Sequence, residues 1–355
     1  MKKIQDTHIW RASFFFIFSL LAFSPVSGEV EIKLTEGPTD FQLYQRNAEN
    51  VCRVSVEGSI AGGGKVTLNV YDGEQLIDSQ QSESPFSFNT QLTAKLTNYR
   101  FEINGETIAD QVVCGDVFMI NGQSNAEAFK PYPSNPWVRA FGTSDVRPDH
   151  FKDRSWGIAL AHKYAGQKSK RHHIGCWGMK LGHMLVEEFS VPVAMIQGAR
   201  GGAALVEGNR AHARNDDDPE DPKTNYGRLL WRMRQAGVDQ SVKAMLWHQG
   251  EESGRRNEAM EYYEHFTSLM EDWKEDYPAI ETIYLYQTRP RGGAKFGPQV
   301  REGQRQLGLR HDSIHLMSTV GLGGYDGLHY HREGYLKMAE MIFPVVAKYG
   351  YGMDK

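Results

Sequence analysis

The sequence predicts an α/β fold in which a small β-sandwich domain precedes a larger domain built on a parallel sheet. Two patterns support this prediction. Up to about residue 110, short strands with a period of two alternate with glycine-containing turns, without a helical stretch between them. After residue 110, apolar strands and helical stretches take turns, which is typical of a parallel sheet covered by helices. A chain of 355 residues is long enough for both domains.

The predicted β-sandwich domain covers residues 29–110. Val66, Leu68 and Val70 illustrate its alternating pattern, in which every second side chain points to the same face of a strand. Turn signals such as Asp72-Gly73 separate the strands. Short strands at this spacing indicate two sheets packed face to face.

The predicted larger domain covers residues 111–355. Its first strand contains the apolar run 117–120, which is typical of a strand buried on both faces. Further strand candidates are residues 191–196, 242–247 and 283–286. Apolar residues at helical spacing lie between them, at 177–189 and 263–273, and a last helix is expected to begin near Arg332.

The N-terminus has the features of a secretory signal peptide covering residues 1–28. Lys2, Lys3 and Arg11 supply positive charge, a short apolar run follows, and small residues allow cleavage after Gly28. A buried N-terminal helix or a membrane anchor is the alternative, but the run is shorter than the roughly 20 residues of a membrane-spanning helix. We therefore expect a secreted or periplasmic protein that has no membrane span after signal removal.

Charge and cysteine content limit the partners and the covalent links. The formal net charge of −4 leaves no basic excess, which argues against a nucleic-acid partner. The three cysteines are Cys52, Cys114 and Cys176, so at least one of them has no partner within the chain. An exported protein can form a disulfide between Cys52 and Cys114, and three buried free thiols are the equally weighted alternative.

Ser124 is the candidate nucleophile. The buried strand around residues 117–120 runs into a glycine-containing turn that presents this serine ahead of a helix. The N–H groups at the start of that helix can face negative charge that develops during a reaction. The alternative reading is a serine that caps the helix.

Two further segments offer hydrogen-bond donors at strand ends. Gly201 and Gly202 allow a backbone N–H to approach a reacting oxygen closely, although a tight turn would also explain them. The neutral amide of Gln249 can donate to an oxyanion without changing the local charge. His248 and Glu251 have the i, i+3 spacing of metal ligands, but no other ligands stand nearby at zinc spacing, so we expect no metal.

Asp326 and His329 are the candidate acid and base. Their spacing of three residues lets both side chains point into one crevice. His329 Nε2 would take the proton of Ser124, and Asp326 would accept the Nδ1 hydrogen and stabilise the imidazolium. A surface turn with the same residues is the alternative.

Taken together, the four segments resemble the sialate O-acetylesterase-like branch of the SGNH hydrolases, which includes carbohydrate esterase family six. The motifs that match are G-Q-S-N at 122–125, G-G at 201–202, W-H-Q-G-E at 247–251 and D-G-L-H at 326–329. The resemblance spans roughly residues 110–346. It implies a flavodoxin-like three-layer α/β/α domain that removes acetyl groups from a carbohydrate, either a sialic acid or an acetylated plant-type polysaccharide.

The resemblance also implies residue roles. Ser124 is the nucleophile, and its own N–H, the Gly201 N–H and the Gln249 side chain form the oxyanion hole. His329 is the base and Asp326 orients it. The reaction passes through an acetyl-enzyme and requires neither a metal nor an organic cofactor.

Substrate contacts are less well defined by the sequence. Arg200 stands beside the proposed oxyanion hole and could bind the carboxylate of an acidic sugar or form a structural salt bridge. Trp156 could stack on a sugar ring or belong to the core. The chain departs from the family pattern at Ala126, Arg200 and His248, which affects the acyl pocket and the sugar site rather than the catalytic atoms.

Two other functions are compatible with parts of the pattern. An α/β-hydrolase-type lipase or peptidase has the same order of serine, acid and histidine, but its acid and histidine lie on different loops. A non-catalytic carbohydrate-binding protein would use the β domain as its active part.

Overall fold

The computed structural model describes residues 31–143, 152–162, 171–206, 211–290, 294–324 and 326–353. The predicted signal peptide lies outside the described residues. The strands are β1 (Ile32–Glu36), β2 (Leu43–Gln45), β3 (Val51–Ile60), β4 (Lys65–Asp72), β5 (Gln75–Glu83), β6 (Phe86–Thr93), β7 (Tyr99–Ile103), β8 (Glu106–Gly122), β9 (Val138–Phe141), β10 (Trp156–Ile158), β11 (Val193–Gln197), β12 (Ala244–His248), β13 (Thr282–Gln287) and β14 (Ile314–Ser318). The α-helices are α1 (Ser124–Glu127), α2 (Cys176–Phe189), α3 (Asn225–Ala236), α4 (Tyr262–Asp276), α5 (Gly297–Arg310) and α6 (Arg332–Tyr351), and 3₁₀ turns lie at Ser253–Arg255 and Asn257–Glu261.

Apart from β2, which pairs in parallel with β8, the N-terminal strands form antiparallel pairs around one apolar cluster. β1, β3 and β6 make a three-stranded sheet, whereas β4 pairs with β5 and β7. Val54 and Val56 of β3 share a buried cluster with Leu68 and Val70 of β4 and with Phe101 of β7. Alternate residues of these strands are buried because the period of a strand is two.

β8 connects these strands to the rest of the molecule. Its first part pairs antiparallel with β7, up to Val112. Its second part, from Asp116 to Gly122, lies between β11 and β12 and runs parallel to both. One strand therefore crosses the point near residue 110 where the sequence pattern changes, and ends inside the central sheet.

The central sheet has the strand order β10-β9-β11-β8-β12-β13-β14. Neighbours from β9 to β14 pair in parallel, and β10 pairs antiparallel with β9 at the edge. The structure confirms a mixed α/β protein with a large central sheet. In such a sheet the carboxyl ends of neighbouring parallel strands meet at one edge, where sites commonly form.

Both faces of the central sheet are buried, which explains the continuous apolar runs. Val117 and Met119 of β8 face a cluster that includes side chains of α3, α4 and α5. Phe118 and Ile120 face a second cluster that includes side chains of α2 and α6. A strand covered on both faces needs apolar side chains at every position rather than at every second one.

The helices begin and end where the local sequence favours it. Thr224 caps α3, because its side-chain oxygen accepts from the Gly227 N–H at 2.8 Å, and Gly237 follows the helix in the left-handed conformation. The helices predicted around residues 177–189 and 263–273 and from Arg332 are confirmed by α2, α4 and α6. None of the helices in the described ranges has the length and the apolar run needed to cross a membrane.

The three cysteines are buried free thiols, so the Cys52–Cys114 disulfide is not formed in this structure. Cys52 and Cys114 lie in the same apolar cluster. A hydrogen bond that the Cys114 thiol donates to Cys52, together with burial, raises the pKa of the Cys114 thiol well above its ordinary value. Cys114 is thus a small buried hydrophobe rather than a reactive thiolate.

Gly115 allows β8 to pass close to the chain before β11, and we expect its replacement to destabilise the protein. A Cβ atom there would lie 2.0 Å from the Pro192 carbonyl oxygen. Gly115→Ala should lower the free energy of unfolding by about 1–3 kcal/mol, measured by urea denaturation. In the control Gly297→Ala, the nearest atom would be the Ala294 Cβ at 3.5 Å, so little change is expected. Equal stability of the two variants would contradict this account.

Candidate active site

The turn after β8 presents Ser124 at the carboxyl edge of the central sheet. The Gln123 N–H donates to the His248 carbonyl oxygen, at the end of β12, at 2.9 Å. Gly122 has a φ of +132°, and a Cβ atom there would lie 2.1 Å from the same oxygen. Only glycine fits between the two strand ends, and the chain then enters α1 with Ser124 as its first residue.

His329 and Asp326 meet Ser124 from the turn that precedes α6. His329 Nε2 lies 2.9 Å from Ser124 Oγ, although the two residues are 205 positions apart. His329 Nδ1 lies 2.6 Å from Asp326 Oδ2. Asp326 Oδ1 accepts from the N–H groups of Leu328, at 2.8 Å, and His329, at 2.6 Å. The structure therefore brings the predicted nucleophile, base and orienting carboxylate together.

The carboxylate of Asp326 is held in its ionised form. Desolvation raises its pKa, but hydrogen bonds from the His329 side chain and from the His329 and Leu328 N–H groups outweigh that effect and lower the pKa below the ordinary value. An ionised Asp326 accepts the Nδ1 hydrogen and leaves the Nε2 lone pair facing Ser124. This tautomer can accept the proton of the serine hydroxyl.

Gly201 lies beside Ser124, but its N–H already has a partner. A Cβ atom on Gly201 would lie 3.7 Å from Ser124 Cβ and 3.1 Å from Glu127 Oε2. The Gly201 N–H donates to the same Glu127 oxygen at 2.8 Å. Gly201 is thus close to Ser124, but the hydrogen bond of its N–H is accepted by the Glu127 carboxylate.

The structure does not bring Gln249 into the cleft, which corrects the expectation from the sequence. Its side chain is fully buried. Its Nε2 donates to the Ala203 carbonyl oxygen at 3.1 Å and to Ser253 Oγ at 2.8 Å, while its Oε1 accepts from the Tyr262 hydroxyl. Both amide hydrogens are used to hold neighbouring loops together, so neither faces Ser124.

The two residues predicted to contact substrate lie in different environments. Arg200 is half-buried and lines the cleft beside Ser124, and its Nε has no hydrogen-bond partner among the described residues. Trp156 is 5% exposed, and its ring packs against Phe141 with the centroids 5.3 Å apart. Trp156 therefore belongs to the core, as the alternative reading held, and does not line the cleft.

Ser124 and His329 open into a cleft of about 410 Å³. Most of its lining residues are polar, and the charged ones are Glu127, Arg200, Glu251, Glu252 and Arg255. Arg255 lies 3.4 Å from Glu252, which also pairs with Arg256 at 2.9 Å. A cleft of this chemistry suits a hydroxyl-rich ligand better than a long acyl chain, which would need an apolar tunnel.

Sequence reasoning missed His212, which supports the serine turn from behind. This residue is 1% exposed, and its Nε2 lies 3.0 Å from the Gly122 carbonyl oxygen. Burial lowers the pKa of His212 to about 3, so the ring is neutral and donates through Nε2–H. No local pattern marks it, because it is 90 positions away from Gly122.

Three other polar residues of the site stand inside the recognised motifs or next to them. Asn125 belongs to G-Q-S-N, Glu127 follows it closely, and Glu251 ends W-H-Q-G-E. All three are at least nine-tenths buried. The position of these polar residues in or near a motif was the signal that could have pointed to them. Their hydrogen-bond partners could not be predicted from the sequence.

The geometry around Ser124 is that of serine hydrolases, in which a histidine and a carboxylate activate a serine hydroxyl. Residues 114–348 match the family model described as carbohydrate esterase, sialic acid-specific acetylesterase. The chain therefore belongs to this family of carbohydrate esterases, and it is a carbohydrate O-acetylesterase. This membership confirms the resemblance found in the sequence and favours an esterase over a lipase, a peptidase or a binding protein.

Comparison with solved structures shows a shared fold. A carbohydrate acetylesterase from Xanthomonas citri aligns with a TM-score of 0.62 at 15% identity, over 91% of this chain and 76% of that one. A protein from Arabidopsis thaliana aligns with a TM-score of 0.52 at 20% identity, over 66% and 98% of the chains. The protein NanS aligns with a TM-score of 0.50 at 13% identity, over 67% and 98%. No curated protein sequence matches the chain.

Replacing the carboxylate tests its pairing with His329. Asp326→Asn should lower kcat for p-nitrophenyl acetate by about 10²–10⁴-fold, because the amide no longer favours the tautomer whose Nε2 lone pair faces Ser124. Initial rates of p-nitrophenol release measure the decrease. A folded Asp326→Asn variant that keeps the wild-type kcat would refute the pairing.

Proposed function

We propose that Ser124, His329 and Asp326 act as nucleophile, general base and orienting carboxylate in the removal of an acetyl group from a carbohydrate hydroxyl. The observation that carries this proposal is the pair of short contacts of one imidazole, 2.9 Å to Ser124 Oγ and 2.6 Å to Asp326 Oδ2. Both distances lie in the range that proton transfer requires. Ser124 also faces a cleft that a substrate can enter.

The first half of the reaction transfers acetyl to the protein. His329 Nε2 takes the Ser124 proton as Oγ attacks the acetyl carbonyl carbon, and the carbonyl oxygen becomes an oxyanion. When this tetrahedral intermediate collapses, the bond from carbon to the sugar oxygen breaks. The imidazolium gives its proton to that oxygen, and the sugar leaves as an alcohol.

The second half regenerates the enzyme. A water molecule gives a proton to His329 Nε2 and attacks the acetyl-serine carbonyl. The second tetrahedral intermediate expels Ser124 Oγ, which recovers its proton from the imidazolium, and acetic acid leaves and loses its remaining proton to solvent as acetate. Asp326 stays ionised throughout and stabilises the imidazolium in both halves.

We propose the oxyanion donors from the position of each N–H group relative to Ser124 Oγ and from whether its hydrogen can reach an oxyanion there. The Ser124 N–H lies at the start of α1 on the same residue as the nucleophile, so it can reach an oxyanion formed at Oγ. The Gly201 N–H contributes when the oxyanion replaces Glu127 Oε2 as its acceptor. Gln249 has no part in this proposal, because both of its amide hydrogens are used elsewhere.

The substrate proposed is an acetylated sugar that carries a carboxylate, such as a sialic acid. Arg200 lines the cleft, and its guanidinium has no ion-pair partner within the described residues, whereas Arg255 has Glu252. A guanidinium without a counter-ion at the reaction centre is suited to a planar carboxylate. The family description names sialic acid, which agrees with this chemistry. A neutral acetylated plant-type polysaccharide is the alternative class.

The finer domain organisation is also a proposal. We infer a signal peptide at residues 1–28, a β-sandwich at 29–110 and a flavodoxin-like three-layer α/β/α domain at 111–355, in a secreted or periplasmic protein. The shared cluster beneath β3, β4 and β7 supports the sandwich. The two clusters on opposite faces of the central sheet support the three layers.

Replacing the nucleophile tests the proposal directly. Ser124→Ala should lower kcat for p-nitrophenyl acetate and for an O-acetylated sialic acid by about 10⁴-fold or more, because no other hydroxyl takes the same place. Acetate release measures it. Ser87→Ala, at an exposed position of β6, serves as the matched control and should keep its activity. Substantial acetate release by purified Ser124→Ala would exclude Ser124 as the nucleophile.

Replacing Arg200 tests the acidic substrate. Arg200→Gln removes a charged hydrogen-bond donor, so kcat/KM for an acetylated acidic sugar should fall about 10–100-fold relative to a neutral acetylated sugar. The matched variant Arg255→Gln should change this ratio less, because Arg255 pairs with Glu252. An equal loss on both sugars in Arg200→Gln would show that Arg200 does not select the carboxylate.

A further inference from the structure

Asn125, the residue after the proposed nucleophile, joins three separate parts of the chain through a fully buried side chain. Its Nδ2 donates to Glu251 Oε1 at 2.7 Å and to the Leu328 carbonyl oxygen at 3.2 Å. Its Oδ1 accepts from the Tyr335 hydroxyl at 2.8 Å. Glu251 follows β12, whereas Tyr335 belongs to α6. Leu328 stands directly before His329, so this one amide contacts the segments that carry the rest of the site.

These partners favour a single orientation of the Asn125 amide. Two acceptors, a carboxylate oxygen and a backbone carbonyl oxygen, face its NH₂ group, and a hydroxyl faces its oxygen. Flipping the amide would place its oxygen against both acceptors in a site without exposed surface. The bond to Glu251 is charge-assisted, which makes it about twice as strong as a neutral hydrogen bond.

The turn that carries His329 is held from outside itself at two places, by the buried Tyr330 that follows the histidine and by Asn125. Asp326 is exposed, and Leu328 and His329 are half-buried. The two backbone bonds of Asp326 Oδ1 stay within the turn, so they maintain its shape and not its position relative to Ser124. The bond from Asn125 to Leu328 connects the peptide next to the histidine with the residue next to the serine.

We propose that Asn125 is a positioning residue that keeps His329 Nε2 within hydrogen-bond distance of Ser124 Oγ. It ties the histidine turn to the serine turn, and Glu251 and Tyr335 hold its amide in the orientation that this requires. The inference rests on the proposed roles of Ser124 and His329. Asn125 touches neither reacting atom, so its removal acts on kcat rather than on KM.

Asn125→Asp is the most direct test. The aspartate keeps the size of the side chain and its contact with Tyr335, but it places an acceptor against Glu251 and the Leu328 carbonyl oxygen. A displacement of about 1 Å can cost about a hundred-fold in rate, so kcat for p-nitrophenyl acetate should fall about a hundred-fold with little change in KM. The rate at which a fluorophosphonate labels Ser124 should fall in parallel, because labelling needs the same base.

Counting reactive Ser124 sites distinguishes a variant whose His329 is displaced from a variant that is partly unfolded. Labelling to completion gives the number of competent Ser124 sites, and kcat is expressed per labelled site. If Asn125→Asp yields no folded protein, Asn125→Ala takes its place, because it removes the three contacts without adding charge. Asn125→Ala should lower kcat per labelled site by about tenfold or more.

Tyr335→Phe is the comparison within the same network. It removes the donor to Asn125 Oδ1 and leaves both Nδ2 bonds, so its loss of kcat per labelled site should be smaller than that of Asn125→Asp. The inference is overturned if the folded Asn125 variants keep wild-type kcat per labelled site, or if their loss lies in KM alone. It is also overturned if Tyr335→Phe is as damaging as Asn125→Asp.

Failure of this inference is distinguishable from failure of the proposed function. If Ser124→Ala stays active, the proposed nucleophile is wrong. If Ser124→Ala is inactive while the Asn125 variants are as active as wild type, the esterase mechanism stands and only the positioning role is lost.

Discussion

The close approach of two strand ends is the constraint on which the site depends. β8 and β12 come so near each other at Gly122 and His248 that no side chain fits between them, and the Gln123 N–H completes the contact. Because β8 lies between β11 and β12, the serine turn is an extension of the central sheet rather than a free loop. Ser124 is therefore anchored to buried strands, which suits its proposed role as a nucleophile that must be held in place.

The histidine reaches the serine by different means. His329 belongs to a partly exposed turn between β14 and α6, so the sheet does not hold it directly. Asp326 shapes the turn from within through three hydrogen bonds, and the buried Asn125 contacts it from the serine side. The site thus combines a strand end of the central sheet with a turn that is fixed by the buried Tyr330 and by hydrogen bonds to buried polar groups such as Asn125. Such groups are costly to leave unpaired, which gives the arrangement its specificity.

The three residues that the sequence proposes as catalytic meet in the structure, whereas one of the proposed oxyanion donors does not join them. Ser124, Asp326 and His329 stand in short motifs at the ends of predicted elements, and their chemistry is recognisable from residue type and order. Gln249 has the same kind of signal, yet its amide points into the protein, where it holds Ala203 and Ser253. A residue just after a strand can face either side of the edge, and the spacing of a motif does not tell which. Trp156 was ambiguous for a similar reason, since a large aromatic residue suits a core and a sugar site equally.

Periodicity and turn chemistry by themselves predicted the alternation of strands and helices after residue 110, the helices around residues 177–189 and 263–273, and the change of pattern near residue 110. These properties are local, because they depend on neighbouring residues along the chain. Only the tertiary structure decided that β8 runs through that change of pattern, that Glu127 occupies the Gly201 N–H and that Asn125 meets Glu251, Leu328 and Tyr335. The physical reason is that hydrogen-bond partners in a buried site come from distant parts of the chain, and folding alone brings them within reach.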